Sequence, residues 1–219
     1  MAADQAAGLR RYVGALRRGE RQPLRGVTCF SDSVDSSVRL AHALHQIGRV
    51  TLLADTQGRL FADCSPRSLF DWKQQLVRRQ LHTLPQPYGE GWYARGVRAD
   101  DPAVSGMANG YDHVIFDAGW GGDLALPPGA AHTVVMEIHS AGESMRHAYA
   151  VLKTLARSGR AVSVGMLGDP TACDRVRAAA CRFLELEFAH AIFSAAHADD
   201  AFAALAVRMA GEETGLTAC

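Results

Sequence analysis

The chain has 219 residues, of which 48% are hydrophobic and 21% charged, a composition typical of a globular protein with a sizeable core. The 23 basic and 23 acidic side chains cancel, so no overall field favours binding to nucleic acid or to an anionic membrane. No stretch approaches the ~18 consecutive apolar residues of a membrane span, and the amino-terminal residues lack the apolar core of a signal peptide.

The first predicted element is a short helix within residues 1–18, which Asp4 can cap. An apolar stripe at helical spacing runs along it and consists of Leu9, Tyr12, Val13 and Leu16. The arginine-rich stretch 10–25 is either a solvated helix face or a surface for a partner or membrane. Residues 19–25, GERQPLR, are typical of a linker because they combine Gly, Pro and charges. We therefore expect a helix tethered to the domain that follows.

From residue 26 to about residue 210, apolar strands alternate with helices. The predicted strands are 26–30, 50–54, 113–117, 133–137 and 161–166, with a weaker one at 191–193. Strands that are apolar throughout and alternate with helices imply a parallel sheet covered on both faces. The predicted fold class is therefore α/β, with a doubly wound, mostly parallel sheet and helices on both faces.

Capping residues predict where the helices begin and end. Asp35 or Ser36 begins a helix that Gly48 stops, and a second helix follows over residues 65–80. Residues 83–110 are rich in Gly and Pro, so little regular structure is expected there.

Three further helices are predicted in the second half of the chain. A Ser140–Glu143 capping box opens one that Gly159 stops. The other two cover residues 169–187 and 199–210, and the tail 211–219 is expected to be flexible. The last helix is apolar almost all round, which favours a core helix and makes direct membrane binding doubtful.

Two segments resemble signature sequences of the MinD/ParA class of P-loop ATPases. RVTLLADTQGR, residues 49–59, resembles the V-L-L-x-D-x-D-x-Q-G run of that class, with Leu53 in place of the first aspartate and Asp55 as the second. GYDHVIFDAGWGGD, residues 110–123, resembles Y-D-x-V-I-x-D-x-G-x-G, in which Asp117 matches the magnesium-coordinating aspartate. The resemblance implies a P-loop NTPase fold that would use ATP and Mg²⁺.

The loop after the first strand departs from that class. The residues that align with the phosphate loop K-G-G-V-G-K-T-T are Ser31, Asp32, Ser33, Val34, Asp35, Ser36, Ser37 and Val38. A phosphate loop needs glycines so that backbone N–H groups converge on the anion, and a lysine to neutralise it. Here every glycine is replaced and both lysine positions are serine. Asp32 and Asp35 would each repel a phosphate by ~1–4 kcal/mol.

The expected consequence is a pseudo-ATPase with no catalytic residue, no cofactor and no ATP-driven homodimer. The base-contacting asparagine that the class carries after the fifth strand is also absent. Because Asp117 is retained, a divergent ATPase that binds ATP and Mg²⁺ weakly stays open as an alternative.

Residues 4–10, DQAAGLR, resemble the D-Q-A-x-x-L-R stretch that opens the FlhG (YlxH) family of MinD-like flagellar regulators. The matching residues are Asp4, Gln5, Ala6, Leu9 and Arg10. In that family the stretch binds FlhF, a GTPase of the signal-recognition-particle type, and stimulates GTP hydrolysis. The resemblance implies a partner-binding surface made of those five residues together with Tyr12 and Val13.

We therefore predict a non-enzymatic, cytoplasmic regulator of flagellar number and placement, recruited to the cell pole or flagellar base by FlhF and other basal-body proteins. Two alternatives stay open: a MinD-like regulator of another process, such as cellulose secretion, septum placement or plasmid partition, and a segment 4–18 that packs on its own domain. The five cysteines show no CxxC pair and no zinc spacing, so reduced thiols and no metal site are expected.

Overall fold

The computed structural model describes residues 24–59, 82–84, 98, 101, 104, 108, 110–120 and 129–215. The predicted amino-terminal helix, most of the linker and the predicted helix 65–80 lie outside these residues. The strands are β1 Arg25–Phe30, β2 Thr51–Asp55, β3 His82–Leu84, β4 His113–Ala118, β5 Ala131–Ile138, β6 Val162–Gly168 and β7 Ile192–Ser194. The helices are α1 Val34–Gln46, α2 Gly142–Ser158, α3 Pro170–Phe183, α4 Leu186–Ala191 and α5 Ala201–Gly215.

The described strands form one sheet in the order β3-β2-β4-β1-β5-β6-β7, and all its pairings are parallel. β1 is central, with Cys29 opposite Asp117 on β4 and Phe30 opposite Met136 on β5. From β1 the chain passes through α1 towards β2, whereas from β5 it passes through α2 towards β6 in the opposite direction. Adjacent strands whose connections diverge open a crevice at their carboxyl ends, and here that crevice lies between β1 and β5.

Helices pack on both faces of the sheet, which confirms the predicted α/β architecture. Leu40 and Leu44 of α1 and Leu205 of α5 pack with Val27 and Ile115 on one face. On the other face, Leu152 of α2 and Val176 of α3 pack with Val134, Met136 and Met166. Neighbouring residues of each strand point to opposite faces, and because both faces are covered, the strands are mostly apolar.

Several helix ends are where the sequence places them. Asp169 caps α3, with Pro170 at its first position, and Asp200 accepts hydrogen bonds at the start of α5. Gly159 ends α2 in the left-handed conformation, with φ of 63°.

Other boundaries differ from the prediction. The cap of α1 is Ser33, whose side chain accepts from the Asp35 N–H, rather than Asp35 or Ser36. The prediction of a Ser140–Glu143 capping box is wrong, because α2 begins after Ala141 with no side-chain cap. The Ser144 hydroxyl accepts from the His139 N–H.

The remaining differences concern lengths. The predicted helix 169–187 is two helices, α3 and α4, and the strand β3 lies in the stretch expected to be irregular. α5 extends to Gly215, five residues beyond the expected end, and buries Phe202, Leu205 and Met209 in the core. Among the described residues, no helix is long and apolar enough to cross a membrane.

Candidate functional site

Polar side chains meet where β1, β2 and β4 end and α1 begins. Ser31 follows β1, Ser36 and Ser37 lie in the first turn of α1, Asp55 ends β2, and Asp117 lies near the end of β4. All five are buried, and Asp117 is fully so. Parallel strands place their carboxyl ends at one edge of the sheet, which brings these residues together.

Arg59 is the centre of this site, and sequence reasoning had given it no role. Its Nε and Nη2 atoms donate to the two carboxylate oxygens of Asp117, at 3.0 and 2.8 Å. Its Nη1 atom donates to the main-chain carbonyls of Ser31 and Asp32, both at 3.1 Å. A planar guanidinium suits such a two-pronged contact with a carboxylate. The cation therefore neutralises Asp117 and also ties the loop after β1 to β4.

A tight turn after β2 directs Arg59 into the site. The Arg59 N–H donates to Asp55 Oδ1 at 3.0 Å, and Gly58 supplies the left-handed conformation with φ of 69°. The Thr56 hydroxyl donates to the Asp117 main-chain carbonyl. These contacts hold the turn against the end of β4, and they thereby position the Arg59 side chain within hydrogen-bonding distance of Asp117.

A second cluster lies in the crevice between β1 and β5. The hydroxyls of Ser31 and Ser36 each donate to Glu137 Oε2 at 2.5 Å, and the Ser33 N–H donates to Ser31 Oγ at 2.9 Å. His139 Nε2 lies 3.9 Å from the same carboxylate oxygen. Hydrogen bonds to a charged acceptor are short and strong, so the two serines are held by Glu137.

Ser37 completes the environment of Asp117. Its hydroxyl donates to Asp117 Oδ1 at 2.7 Å. Beneath it, burial raises the pKa of the Cys29 thiol to about 12, with the nearby charges of Asp117 and Glu137 acting in the same direction. Cys29 is therefore a neutral thiol and no candidate nucleophile.

Of the other predicted loop residues, Asp32 and Ser33 contribute backbone groups to the site: the Asp32 carbonyl accepts from Arg59 and the Ser33 N–H donates to Ser31 Oγ. Asp32, Ser33 and Asp35 are exposed and Val34 is half-buried. Asp35 instead lies in the first turn of α1, where a carboxylate interacts favourably with the helix dipole. The predicted partner-binding residues lie outside the described residues: Asp4, Gln5, Ala6, Leu9, Arg10, Tyr12 and Val13.

The described residues contain no group of three or more His, Cys, Asp or Glu side chains placed to hold a metal ion. The arrangement around Asp117 also does not fit Mg²⁺, because both its carboxylate oxygens already bind Arg59 and one also binds Ser37. A phosphate entering between Ser31 and Ser37 would meet the carboxylate of Glu137. At a separation of ~4 Å such a like-charge contact costs roughly 4 kcal/mol in the intermediate dielectric near a protein surface.

Arg59 and Glu137 are the two site residues that sequence reasoning missed. Glu137 had a recognisable signal, since it is a charge near the carboxyl end of an otherwise apolar strand. No sequence signal marked Arg59 beyond its place in the segment 49–59, because its role depends on the geometry of the turn.

No protein-family model matches this chain, and a search of curated proteins likewise finds no match.

Proposed function

We propose that this protein is a MinD/ParA-like regulator whose nucleotide site is closed by its own arginine. In this proposal it acts without hydrolysing ATP: its amino-terminal segment binds an FlhF-type GTPase and stimulates GTP hydrolysis, in the control of flagellar number and placement. The observation that carries the closed site is the contact of Arg59 with Asp117 and with the Ser31 and Asp32 carbonyls.

The loss of both lysines from the phosphate-loop positions supports a site that no longer binds a nucleotide. In the alignment with the phosphate loop, Ser31 and Ser36 stand at the lysine positions, and here both donate to Glu137. Cations that would attract phosphate are thus exchanged for hydroxyls bound to an anion. In P-loop NTPases Mg²⁺ is held by a loop Ser or Thr and an aspartate. Arg59 takes up the corresponding carboxylate, Asp117, so one resident cation stands where a metal would bind.

Titration calorimetry of the full chain with ATP and Mg²⁺ tests the closed site. We expect no heat of binding at micromolar concentrations, because ATP would have to displace Arg59 and approach Glu137. Micromolar binding would contradict the proposal.

The GTPase-stimulating role rests on the sequence of residues 4–10. We expect the full chain to raise the rate of GTP hydrolysis by an FlhF-type GTPase, and both deletion of residues 1–22 and Gln5→Ala to abolish the increase. A polar group that orients the attacking water explains why one side chain would matter so much. Gln46→Ala, at an exposed glutamine ending α1, is the matched control and should stimulate normally. Stimulation that survives both changes to the segment would refute the role.

One observation favours a divergent ATPase as the second candidate. Ser37 and Asp117 remain in contact, so the hydroxyl–carboxylate pair that holds magnesium in P-loop NTPases is present. Arg59 is 25% exposed and comes from a surface turn, so its movement would open this pair. The same calorimetry decides between the candidates, because an ATPase requires binding by the unmodified chain.

A further inference from the structure

The outer side of α2 carries a row of cations that the proposed function does not use. Arg146, Lys153 and Arg157 are all exposed. Their spacing places them within about 40° of one another on an α-helix. The residues of α2 that are buried in the core lie on the opposite side of the helix: Ser144, Ala148, Leu152 and Leu155. The three cations, here called the α2 cation row, therefore point away from the sheet into solvent.

Within the described part of the chain, the α2 cation row has no acidic partner. None of the ion pairs between described residues includes Arg146, Lys153 or Arg157. The exposed acid of α2, Glu143, instead lies 4.0 Å from His147. The charge of the row is therefore left to solvent or to a binding partner.

The neighbouring helix α3 adds positive charge on the same face of the sheet. Its exposed cations are Arg175, Arg177 and Arg182, against one exposed acid, Asp174, which lies 3.1 Å from His197. The whole chain has equal numbers of basic and acidic side chains, 23 of each. The excess of cations on α2 and α3 is thus local and not a consequence of overall composition.

The shape of the row indicates the chemistry of the partner. From Arg146 to Arg157 the row is one side chain wide and roughly 16 Å long, since each helical residue rises about 1.5 Å. An acidic helix lying along α2 presents carboxylates over the same length, because its positions i, i+4, i+7 and i+11 share one side. Ala150, exposed between Arg146 and Lys153, leaves room for the partner to approach.

Extended anionic surfaces fit this side of the protein less well. A membrane or a nucleic-acid duplex that covered both helices would also meet the carboxylates of Glu143 and Asp174, which are 73% and 57% exposed. The exposed positions of α2 include no large apolar or aromatic side chain that would enter a bilayer or stack on a base. A single acidic helix contacts the row and avoids both carboxylates.

We infer that the α2 cation row is a docking site for an acidic α-helical segment of a partner protein. Arg146, Lys153 and Arg157 each pair with a carboxylate of that segment, and the two arginines can do so with two parallel hydrogen bonds. Exposed ion pairs are individually weak and are screened by salt, so binding depends on the row as a whole. Neither Arg59 nor the amino-terminal segment takes part, so this inference and the proposed function can fail separately.

Fluorescence anisotropy of a labelled helical peptide, titrated with the full chain at low salt, tests the docking site. The peptide carries glutamates at i, i+4, i+7 and i+11 on an alanine- and glutamine-based helix. A second peptide has the same composition, but its glutamates are distributed around the helix. We expect the first peptide to bind ~fivefold more tightly, because only its carboxylates can all reach one row.

Charge reversal tests which residues bind the peptide. Lys153→Glu, in the middle of the row, should weaken binding of the first peptide ~tenfold, because a repulsion replaces an attraction. Arg39→Glu is the matched control, since it makes the same change in net charge at an exposed position of α1, on the other face of the sheet, and should leave the affinity unchanged. Reversal of all three cations to glutamate should create binding to a peptide in which lysine replaces each glutamate.

Three results would overturn the inference. Equal binding of the two glutamate peptides would show attraction to net charge alone, and undiminished binding by Lys153→Glu would place the peptide elsewhere. The third result is a wild-type chain that does not bind the first peptide. In that case, binding to phosphatidylserine vesicles or to duplex DNA that is lost in Lys153→Glu would assign the row to a membrane or to nucleic acid instead.

Discussion

The Arg59 guanidinium and the Asp117 carboxylate form a two-pronged ion pair that joins the turn after β2 to the end of β4. Asp117 is fully buried, whereas Arg59 reaches it from a partly exposed turn. The pair therefore has a structural consequence as well as a bearing on ligand binding: without Arg59, a carboxylate would remain inside the protein without its cation.

Arg59→Ala should lower the free energy of unfolding by ~3–5 kcal/mol, because breaking one side of a buried ion pair leaves an uncompensated charge. Urea denaturation at pH 7 measures the loss. Arg146→Ala, at an exposed position of α2, is the control and should change stability by less than ~0.5 kcal/mol. In the double variant Arg59→Ala with Asp117→Asn, the removal of both charges should return part of the lost stability. A double variant no more stable than Arg59→Ala would show that the charge is not the cause.

Protonation of His113 should make stability fall in mild acid. Burial, together with the nearby Arg25, lowers the pKa of His113 from 6.5 to about 4. The unfolded chain then binds the proton more readily than the folded one, so stability is full above pH 6.5 and falls as the pH drops towards 4. The loss between pH 8 and pH 5 is ~2 kcal/mol for this one group.

Urea denaturation at several pH values measures this slope, and His113→Asn should flatten it. Gln46→Asn is the matched control, because Gln46 is exposed at the end of α1, does not titrate, and its replacement should leave the slope unchanged. An equal slope in the wild type and the His113 variant would show that another group is responsible.

Gly168→Ala should destabilise the protein by at least ~2 kcal/mol. Gly168 has φ of 109°, and a Cβ atom there would lie 2.3 Å from the main-chain oxygen of Ile138. Strand β5 cannot move away without breaking its pairing with β6, so relieving the clash would cost sheet hydrogen bonds. Gly142→Ala is the control, since a Cβ at Gly142 meets nothing within 4 Å. Thermal unfolding of the two variants side by side should show a large loss for the first and little or none for the second.

Cys181 should react with iodoacetamide in the folded protein, whereas Cys29 and Cys173 should react only after unfolding. Cys181 is exposed, while burial raises the pKa of both other thiols to about 12. Almost no thiolate is then present at pH 8, and the thiolate is the reactive form. Peptide mapping by mass spectrometry identifies the alkylated cysteines. Early labelling of Cys29 would indicate that the site around Asp117 opens readily.

Much of the fold follows from the order and apolar character of the segments. Strands such as VTLLA and AVSVGM carry apolar residues on both faces, so a sheet covered on both sides is needed to bury them. Asp169–Pro170 and Gly159 mark helix ends through local stereochemistry, and both predictions are confirmed. The predicted Ser140–Glu143 capping box does not form: α2 begins after Ala141 with no side-chain cap, and the Ser144 hydroxyl accepts from the His139 N–H.

The sequence by itself determined that the loop after β1 lacks the glycines and lysines of a phosphate loop, because that is a matter of residue types alone. Only the tertiary structure decided what replaces them. Arg59 lies 58 residues from Asp117, and Glu137 lies 106 residues from Ser31, and no local pattern joins such pairs. They meet because parallel strands bring their carboxyl ends to one edge of the sheet, and because one tight turn after β2 directs a cation into that edge.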